Sequence, residues 1–277
     1  MELIQKLKHQ AYLIRRSVIE MLAEAGSGHL GGSLGLADIF TVLYFNEMRH
    51  NSKSPEWIER DRLILSIGHV APVLYATLAY AGYFEKEELL TLRKLGSRLQ
   101  GHPGKDKGLP GIEISSGSLG QGLSIAAGLA LGLKLDKINA RVFCICGDGE
   151  LQEGSVWEAA MSGAHYKLDN LICIVDRNKV QIDGKTSDVM EIEPLALKWA
   201  SFGWQVFHTD GNNISELLKT FKEVNSVLSK PKVVIANTAM GKGVKSIEND
   251  YKWHGKAPDK EQAEKFLKEL ENEYSII

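Results

Sequence analysis

The chain has 277 residues, 44% of them hydrophobic and 25% charged, with 33 basic side chains against 35 acidic ones and a net charge of −2. A globular chain of this length buries a large core, which excludes intrinsic disorder and a disulfide scaffold. Balanced charge without a basic block beside aromatics excludes a nucleic-acid partner, and no run nears the roughly 18 apolar residues of a membrane span.

The start, Met1 to Lys8, is charged and does not read as a leader, so a cytoplasmic chain is expected. From Leu3 to Ala25 apolar residues recur at helical spacing (Leu3, Leu7, Ala11, Ile14, Val18, Leu22), and Gly26-Ser-Gly-His29 ends the pattern. Ser33 is positioned to cap a second helix from about Leu34 to Phe45, which leaves His29 on an interhelical loop. Short apolar runs then read as buried strands: Arg62 to Ile67, Arg141 to Cys146, Leu171 to Val175, Gln205 to His208 and Lys232 to Asn237. Helix-like segments separate most of them. The alternation predicts an α/β fold, a parallel β-sheet with helices on both faces.

Gly117 to Leu135 is rich in small residues, which suits a helix packed closely in a core. The segment from Met240 to Pro258 reads as irregular, and a charged, peripheral helix is expected from Pro258 to Tyr274 on a single domain spanning residues 1–277. Cys144, Cys146 and Cys173 lie inside apolar runs and read as buried thiols, since a second pair at zinc-ligand spacing is missing.

In a parallel sheet, ligands bind beyond the carboxyl ends of the strands, where loops and helix N-termini converge. One strand ends in Gly147-Asp148-Gly149, a carboxylate between two glycines that permit a sharp turn and close approach of a phosphate. Another ends in Asp176-Arg177-Asn178-Lys179-Val180. If the strands are neighbours, Asp148, Asn178 and a backbone carbonyl form a hard oxygen site suited to Mg2+ or Ca2+ beside a phosphate. Gly-Asp-Gly followed thirty positions later by Asn, across a helix and a strand, resembles the signature of thiamine diphosphate enzymes.

Within that superfamily the chain resembles transketolase over nearly its whole length. The matching stretches are Ser27-Gly-His-Leu-Gly-Gly-Ser33, Gly68-His69, Gln100-Gly-His-Pro103, Gly117-Ser-Leu-Gly-Gln-Gly122, Gly147 to Gly154 with Glu158, and Trp253-His254-Gly255. The resemblance implies that Asp148, Asn178 and the Val180 carbonyl hold the metal, and that Gly149 and His69 meet the diphosphate. It also places Gly117, Ser118 and Leu119 along the cofactor's rings, with His254 bordering it. His29, His102 and His254 then face the substrate, His29 and His254 handling protons and His102 orienting the donor's terminal hydroxyl. The implied reaction transfers a two-carbon ketol unit between sugar phosphates. His9, His50 and His165 match none of these motifs and read as surface or packing residues. Arg177 is a departure, since many members carry Asn or Asp before the liganding Asn.

Transketolases usually run more than twice this length, and the glutamate that hydrogen-bonds the cofactor's aminopyrimidine comes from a second domain. Glu150 and Glu153 lie on the diphosphate side by resemblance and do not replace it. A separate C-terminal subunit carrying the pyrimidine-binding domain is therefore expected, two of each chain, with Glu153 and Glu158 at a subunit contact. A non-catalytic binding module of the same fold, or half of a deoxyxylulose-phosphate synthase, are the alternative readings. Retention of His29, His102 and His254 argues against the first, and Gln100-Gly-His-Pro103 against the second. Gly241-Lys-Gly-Val-Lys-Ser246 resembles a phosphate loop but has Ala236 in place of the leading glycine and Gly243 in place of Ser or Thr, so it reads as a loop near the site.

Overall fold

A strand that is apolar at every position needs cover on both faces. The computed structural model describes residues 2–276; Met1 and Ile277, the ends of the expected domain, lie outside the described residues. Its strands are β1 (Arg62–Leu65), β2 (Val142–Gly147), β3 (Leu171–Arg177), β4 (Val180–Gln181), β5 (Gly184–Lys185), β6 (Gln205–Asp210) and β7 (Lys232–Asn237). Five form a parallel sheet in the order β1-β2-β3-β7-β6, and β4 and β5 pair as a small antiparallel ribbon. Period-two alternation splits each central strand between two cores. Phe143, Ile145, Ile172, Ile174, Val234 and Ala236 face one core, while Val142, Cys144, Cys146, Leu171, Cys173 and Val175 face the other.

The helices are α1 (Glu2–Ala25), α2 (Leu30–Gly35), α3 (Ala37–Val42), α4 (Ala71–Tyr80), α5 (Gly122–Leu135), α6 (Gly154–His165), α7 (Thr186–Val189), α8 (Leu195–Ser201), α9 (Ile214–Ser226) and α10 (Lys260–Ile276). The first core is closed by α1 to α4, α9 and α10, the second by α5, α6 and α8. The three cysteines are free and buried, Cys144 lying opposite Cys173 across the β2–β3 pair. In α10, Ala263, Phe266 and Leu270 enter the same core as Ile14 and Val18 of α1, and the Phe266 ring meets Trp253 edge-on at 5.1 Å.

The second helix differs from the sequence expectation. It starts at Leu30, breaks at Leu36, and ends in a widened turn over Leu43–Glu47. Ser33 is inside it, and its hydroxyl donates to the His29 carbonyl (2.8 Å) instead of capping. The cause is close packing by glycine: a Cβ at Gly31 would lie 2.7 Å from Met240 Cγ, and one at Gly35 2.9 Å from the Ala239 carbonyl oxygen. The helix thus begins where bare backbone meets the 239–240 segment, and His29 becomes its leading residue.

Because α10 completes the first core, Phe266→Ala is expected to lower unfolding stability by about 3 kcal/mol in urea denaturation. An unchanged midpoint would mean that α10 is dispensable to the core.

Candidate active site

The register Gly147↔Asp176 sets the ends of β2 and β3 side by side, and α6 is the crossover between them. Asp148, 1% exposed, follows β2 directly and is enclosed by donors. Its Oδ1 accepts from the Gly149 N–H (2.7 Å), and its Oδ2 from the Lys179 N–H (2.6 Å) and the Arg177 guanidinium (2.8 Å). Burial pushes its carboxyl upward, and Arg177 pulls the other way. Asn178 is held by two bonds, its Nδ2 donating to Asp176 (2.8 Å) and its Oδ1 accepting from the Val180 N–H (2.9 Å). Lys179 between them takes φ 64°, which turns the chain from β3 back over the strand end. A cleft of about 940 Å3, lined in part by Asn178, Val180, Thr186 and Thr238, opens here.

One carboxylate, one amide oxygen and one backbone carbonyl are hard donors, which fits a small divalent cation that shares its shell with phosphate oxygens. Among the described residues no group of three or more His, Cys, Asp or Glu side chains forms a self-contained metal cage.

The four motif histidines converge above the same edge of the sheet. His29 leads α2, His69 sits in a 3-10 turn after β1, His102 is on the following long loop, and His254 follows the turn Tyr251–Trp253. Ring centroids lie 4.9 Å apart for His29 and His69, 5.2 Å for His69 and His254, 5.9 Å for His29 and His254, and 6.5 Å for His29 and His102. Glycine makes the convergence possible. A Cβ at Gly68 would lie 2.9 Å from the Gly117 nitrogen, and one at Gly117, whose φ is 148°, 3.2 Å from the His102 ring. Two hydrogen bonds tie the His254 segment to the His29 helix: Leu30 N–H to Lys256 O (3.2 Å) and Gly241 N–H to Gly31 O (2.8 Å). The Gly241–Ser246 stretch therefore braces the site from behind.

Burial, then the neighbouring His254, His102 and Arg93 charges, lower His29 to about 4. Burial and the other three rings lower His69 to about 3. His254 is lowered by burial, and its Nδ1 is a buried atom without a hydrogen-bond partner, as is Ser116 Oγ beside Gly68. Such orphaned polar atoms mark where a ligand's own polar groups would be received. Ser118, Leu119 and His102 are exposed, on the open side of the site. Glu153 and Glu158 are exposed as well.

The remaining four histidines serve packing or surface positions: His9 meets Tyr274 Oη (2.9 Å), His50 is held by Tyr44 O (2.6 Å) and Tyr83 Oη (3.1 Å), His165 packs on Tyr166, and His208 is exposed on β6. Sequence reasoning gave no supporting role to two residues, Asp176 and Glu150. Asp176, 2% exposed, supports Asn178 and accepts from the Thr238 hydroxyl; burial pushes it up to about 7. Its signal was its place at the buried end of β3, two residues before Asn178. Glu150, 2% exposed, accepts from Ser66 Oγ, from the Gly120 N–H (2.8 Å) and from the Gly147 N–H (3.1 Å). Burial, followed by Cys146, raises its carboxyl, and the three donors pull it back toward the ionised form.

Comparison with known proteins gives one consistent result. Residues 7–274 match the family described as transketolase, thiamine diphosphate binding domain. The chain is 40% identical over 267 residues to an apulose-4-phosphate transketolase subunit of Phocaeicola vulgatus, covering 96% of this chain and 94% of that protein. It is 41% identical to a 6-deoxy-6-sulfo-D-fructose transketolase subunit of Clostridium sp., covering 96% of this chain and 97% of the relative. Among solved structures, the transketolase from Leishmania mexicana superposes with a TM-score of 0.90 at 31% identity, over 97% of this chain. The chain spans 41% of that protein's length, and 42% of human transketolase, to which it is 40% identical.

For the histidines the folded pKa lies below the ordinary 6.5, so the unfolded chain takes up protons first. Stability is expected to be complete above about pH 6.5 and to fall as the pH drops from there toward 4. In a ring-proton NMR titration of the isolated chain, the signal removed by His29→Asn should titrate near 4. A midpoint at the ordinary value would refute the neutral, desolvated ring.

Proposed function

This chain belongs to the transketolase family, and from that membership we propose that it is the N-terminal subunit of a two-polypeptide transketolase. It would transfer a two-carbon ketol unit from a ketose phosphate, or a related ketose with an anionic end, to an aldose phosphate. The observation that carries the reading is the pairing of lengths. Relatives named as transketolase subunits are matched almost end to end, while transketolases of a single polypeptide are matched over about two fifths.

In this reading the single domain holds the diphosphate end of thiamine diphosphate. Asp148, Asn178 and the Val180 carbonyl would hold Mg2+ (or Ca2+), while Gly149 and His69 meet the diphosphate. Gly117, Ser118 and Leu119 line the ring end, bordered by His254. When bound, the cofactor supplies an electron sink for cleavage of the ketose C2–C3 bond. The chain's own residues supply binding and proton handling. Neutral imidazoles at His29 and His254 accept hydrogen bonds from the substrate hydroxyls, and either ring takes the C3 hydroxyl proton as the bond opens. Their lowered pKa values keep them unprotonated at neutral pH, the state a base requires. His102, exposed and 6.5 Å from His29 between ring centroids, orients the donor's terminal hydroxyl.

The partner is a separate C-terminal subunit with the pyrimidine-binding domain, assembled as two of each chain in the cytoplasm. It supplies the glutamate for the aminopyrimidine, and Glu153 and Glu158 lie at the contact. Among the described residues no helix is long and apolar enough to cross a membrane.

The purified chain alone is expected to show no ketol transfer, and addition of the co-purified partner to restore it; full activity from the chain alone would overturn the proposal. In the complete complex, His29→Ala should lower kcat by about a hundredfold or more while leaving thiamine diphosphate affinity within severalfold. Collapse of cofactor affinity instead would place His29 on the cofactor.

A further inference from the structure

Glu150 connects three segments that are far apart in sequence. Through Ser66 Oγ it reaches the end of β1, through the Gly147 N–H the end of β2, and through the Gly120 N–H the turn that runs into α5. Ser66 Oγ also accepts from the Gly122 N–H (3.1 Å), so carboxylate and hydroxyl together hold two backbone donors of that turn. The turn has little room to move. A Cβ at Gly122 would lie 2.3 Å from Ser66 Cβ, and one at Gly120, whose φ is 83°, 2.7 Å from Glu153 Cβ. Opposite Glu150, the Ser155 hydroxyl donates to the Gly120 carbonyl (3.0 Å).

We infer that Glu150 is a positioning residue: it sets the ring-facing turn Gly117–Gly122 at a fixed distance from the diphosphate-facing turn Gly147–Gly149. The inference rests on the thiamine diphosphate reading of the site. An asymmetry in the supports carries it. The diphosphate side has its own bonds, since Asp148 is fixed by the Gly149 and Lys179 N–H groups and by Arg177, and the Asp148 N–H bonds the Asp176 carbonyl (3.2 Å). On the ring-facing side, the Gly120 N–H depends on the Glu150 carboxylate, and the Gly122 N–H on the Ser66 hydroxyl beside it. Three donors converge on Glu150. Oε1 accepts from Ser66 and Gly120 and Oε2 from Gly147, whereas a glutamine of the same shape sets its NH2 against one side or the other, the Gly147 N–H or the Gly120 N–H. Either way the link between the two turns is broken, while Asp148 still fixes Gly149 through bonds that Glu150 does not share.

The test compares two probes on the complex of this chain with its co-purified partner: thiamine diphosphate with Mg2+, and inorganic pyrophosphate with Mg2+, each titrated calorimetrically. Glu150→Gln is expected to weaken thiamine diphosphate by about tenfold or more and pyrophosphate by no more than about twofold, since only a ligand that spans both turns depends on their spacing. Amide hydrogen exchange of the unliganded variant should accelerate at Gly147 or Gly120 and not at Gly149. Parallel loss of both affinities, or no change in either, overturns the inference in favour of a purely structural carboxylate. A wild-type complex that takes up neither probe overturns the cofactor reading and this inference with it. Should Glu150→Gln fail to fold, Ser66→Ala keeps the carboxylate, leaves the Gly122 N–H without its acceptor, and is expected to split the two affinities in the same direction.

Discussion

A Cβ at Gly122 would overlap Ser66, one at Gly68 would press on the Gly117 nitrogen, and one at Gly31 would strike Met240. Close approach of bare glycine backbone to a neighbouring segment at these three places is the constraint on which the site depends. The parallel sheet delivers Ser66, Gly147 and Asp176 to a single edge, but strand ends alone leave their loops free to splay. Glycine removes the side-chain layer between loops, so hydrogen bonds such as Gly241 to Gly31 and Gly122 to Ser66 form at 2.8 and 3.1 Å. Side chains borne by those loops are then fixed by the backbone beneath them. Four imidazoles from four separate segments reach ring separations of 4.9 to 6.5 Å in this way.

The same close packing dries the site, and dryness sets its electrostatics. Protonated imidazoles at this spacing would repel one another in a medium that screens poorly, so His29 and His69 stay neutral well below their ordinary pKa. On the diphosphate side the logic has the opposite sign. Asp148 is buried as a carboxylate because Arg177 and two backbone N–H groups meet it, which keeps a negative charge available beneath the glycine turn. One edge of the sheet thus offers neutral bases on one side and an anchored carboxylate on the other. Proton transfer and cation binding require that division.

Most of the sheet was legible because each strand is a short apolar run between turn signals; Lys232–Asn237 matches its expectation to the residue, and the other four differ only at their ends. Helix starts were less legible. Ser33 has the chemistry of a cap, yet α2 begins three residues earlier, since a partner distant in sequence, the 239–240 segment, decides where bare backbone is needed. At the site, motif spacing identified residues that would touch ligand and passed over those that hold them. Asp176 and Glu150 act through other residues, and the partners of Glu150, Ser66 and Gly120, lie 84 and 30 positions away. A linear motif carries no trace of such pairings. Arg177, which looked like a departure from the family pattern, has a concrete role here as the cation that meets Asp148.

Exposure changes across the site, and the change has a direction. Asp148, Glu150 and Asp176 are at most 2% exposed, whereas Leu119 is 37% exposed and Ser118 and His102 also face outward. The chain therefore encloses the diphosphate side by itself and leaves the ring-facing side open. Hydrogen bonding and proton transfer by histidines are strongest when water is excluded. His29 and His254, half-buried, lie on the boundary between the two regions. If the partner subunit covers Leu119 and His102, the same contact that brings its glutamate to the cofactor also removes the water left over the half-buried His29 and His254. Assembly would then set the exposure of both rings at once, which is what the proposed division of the site between two polypeptides requires.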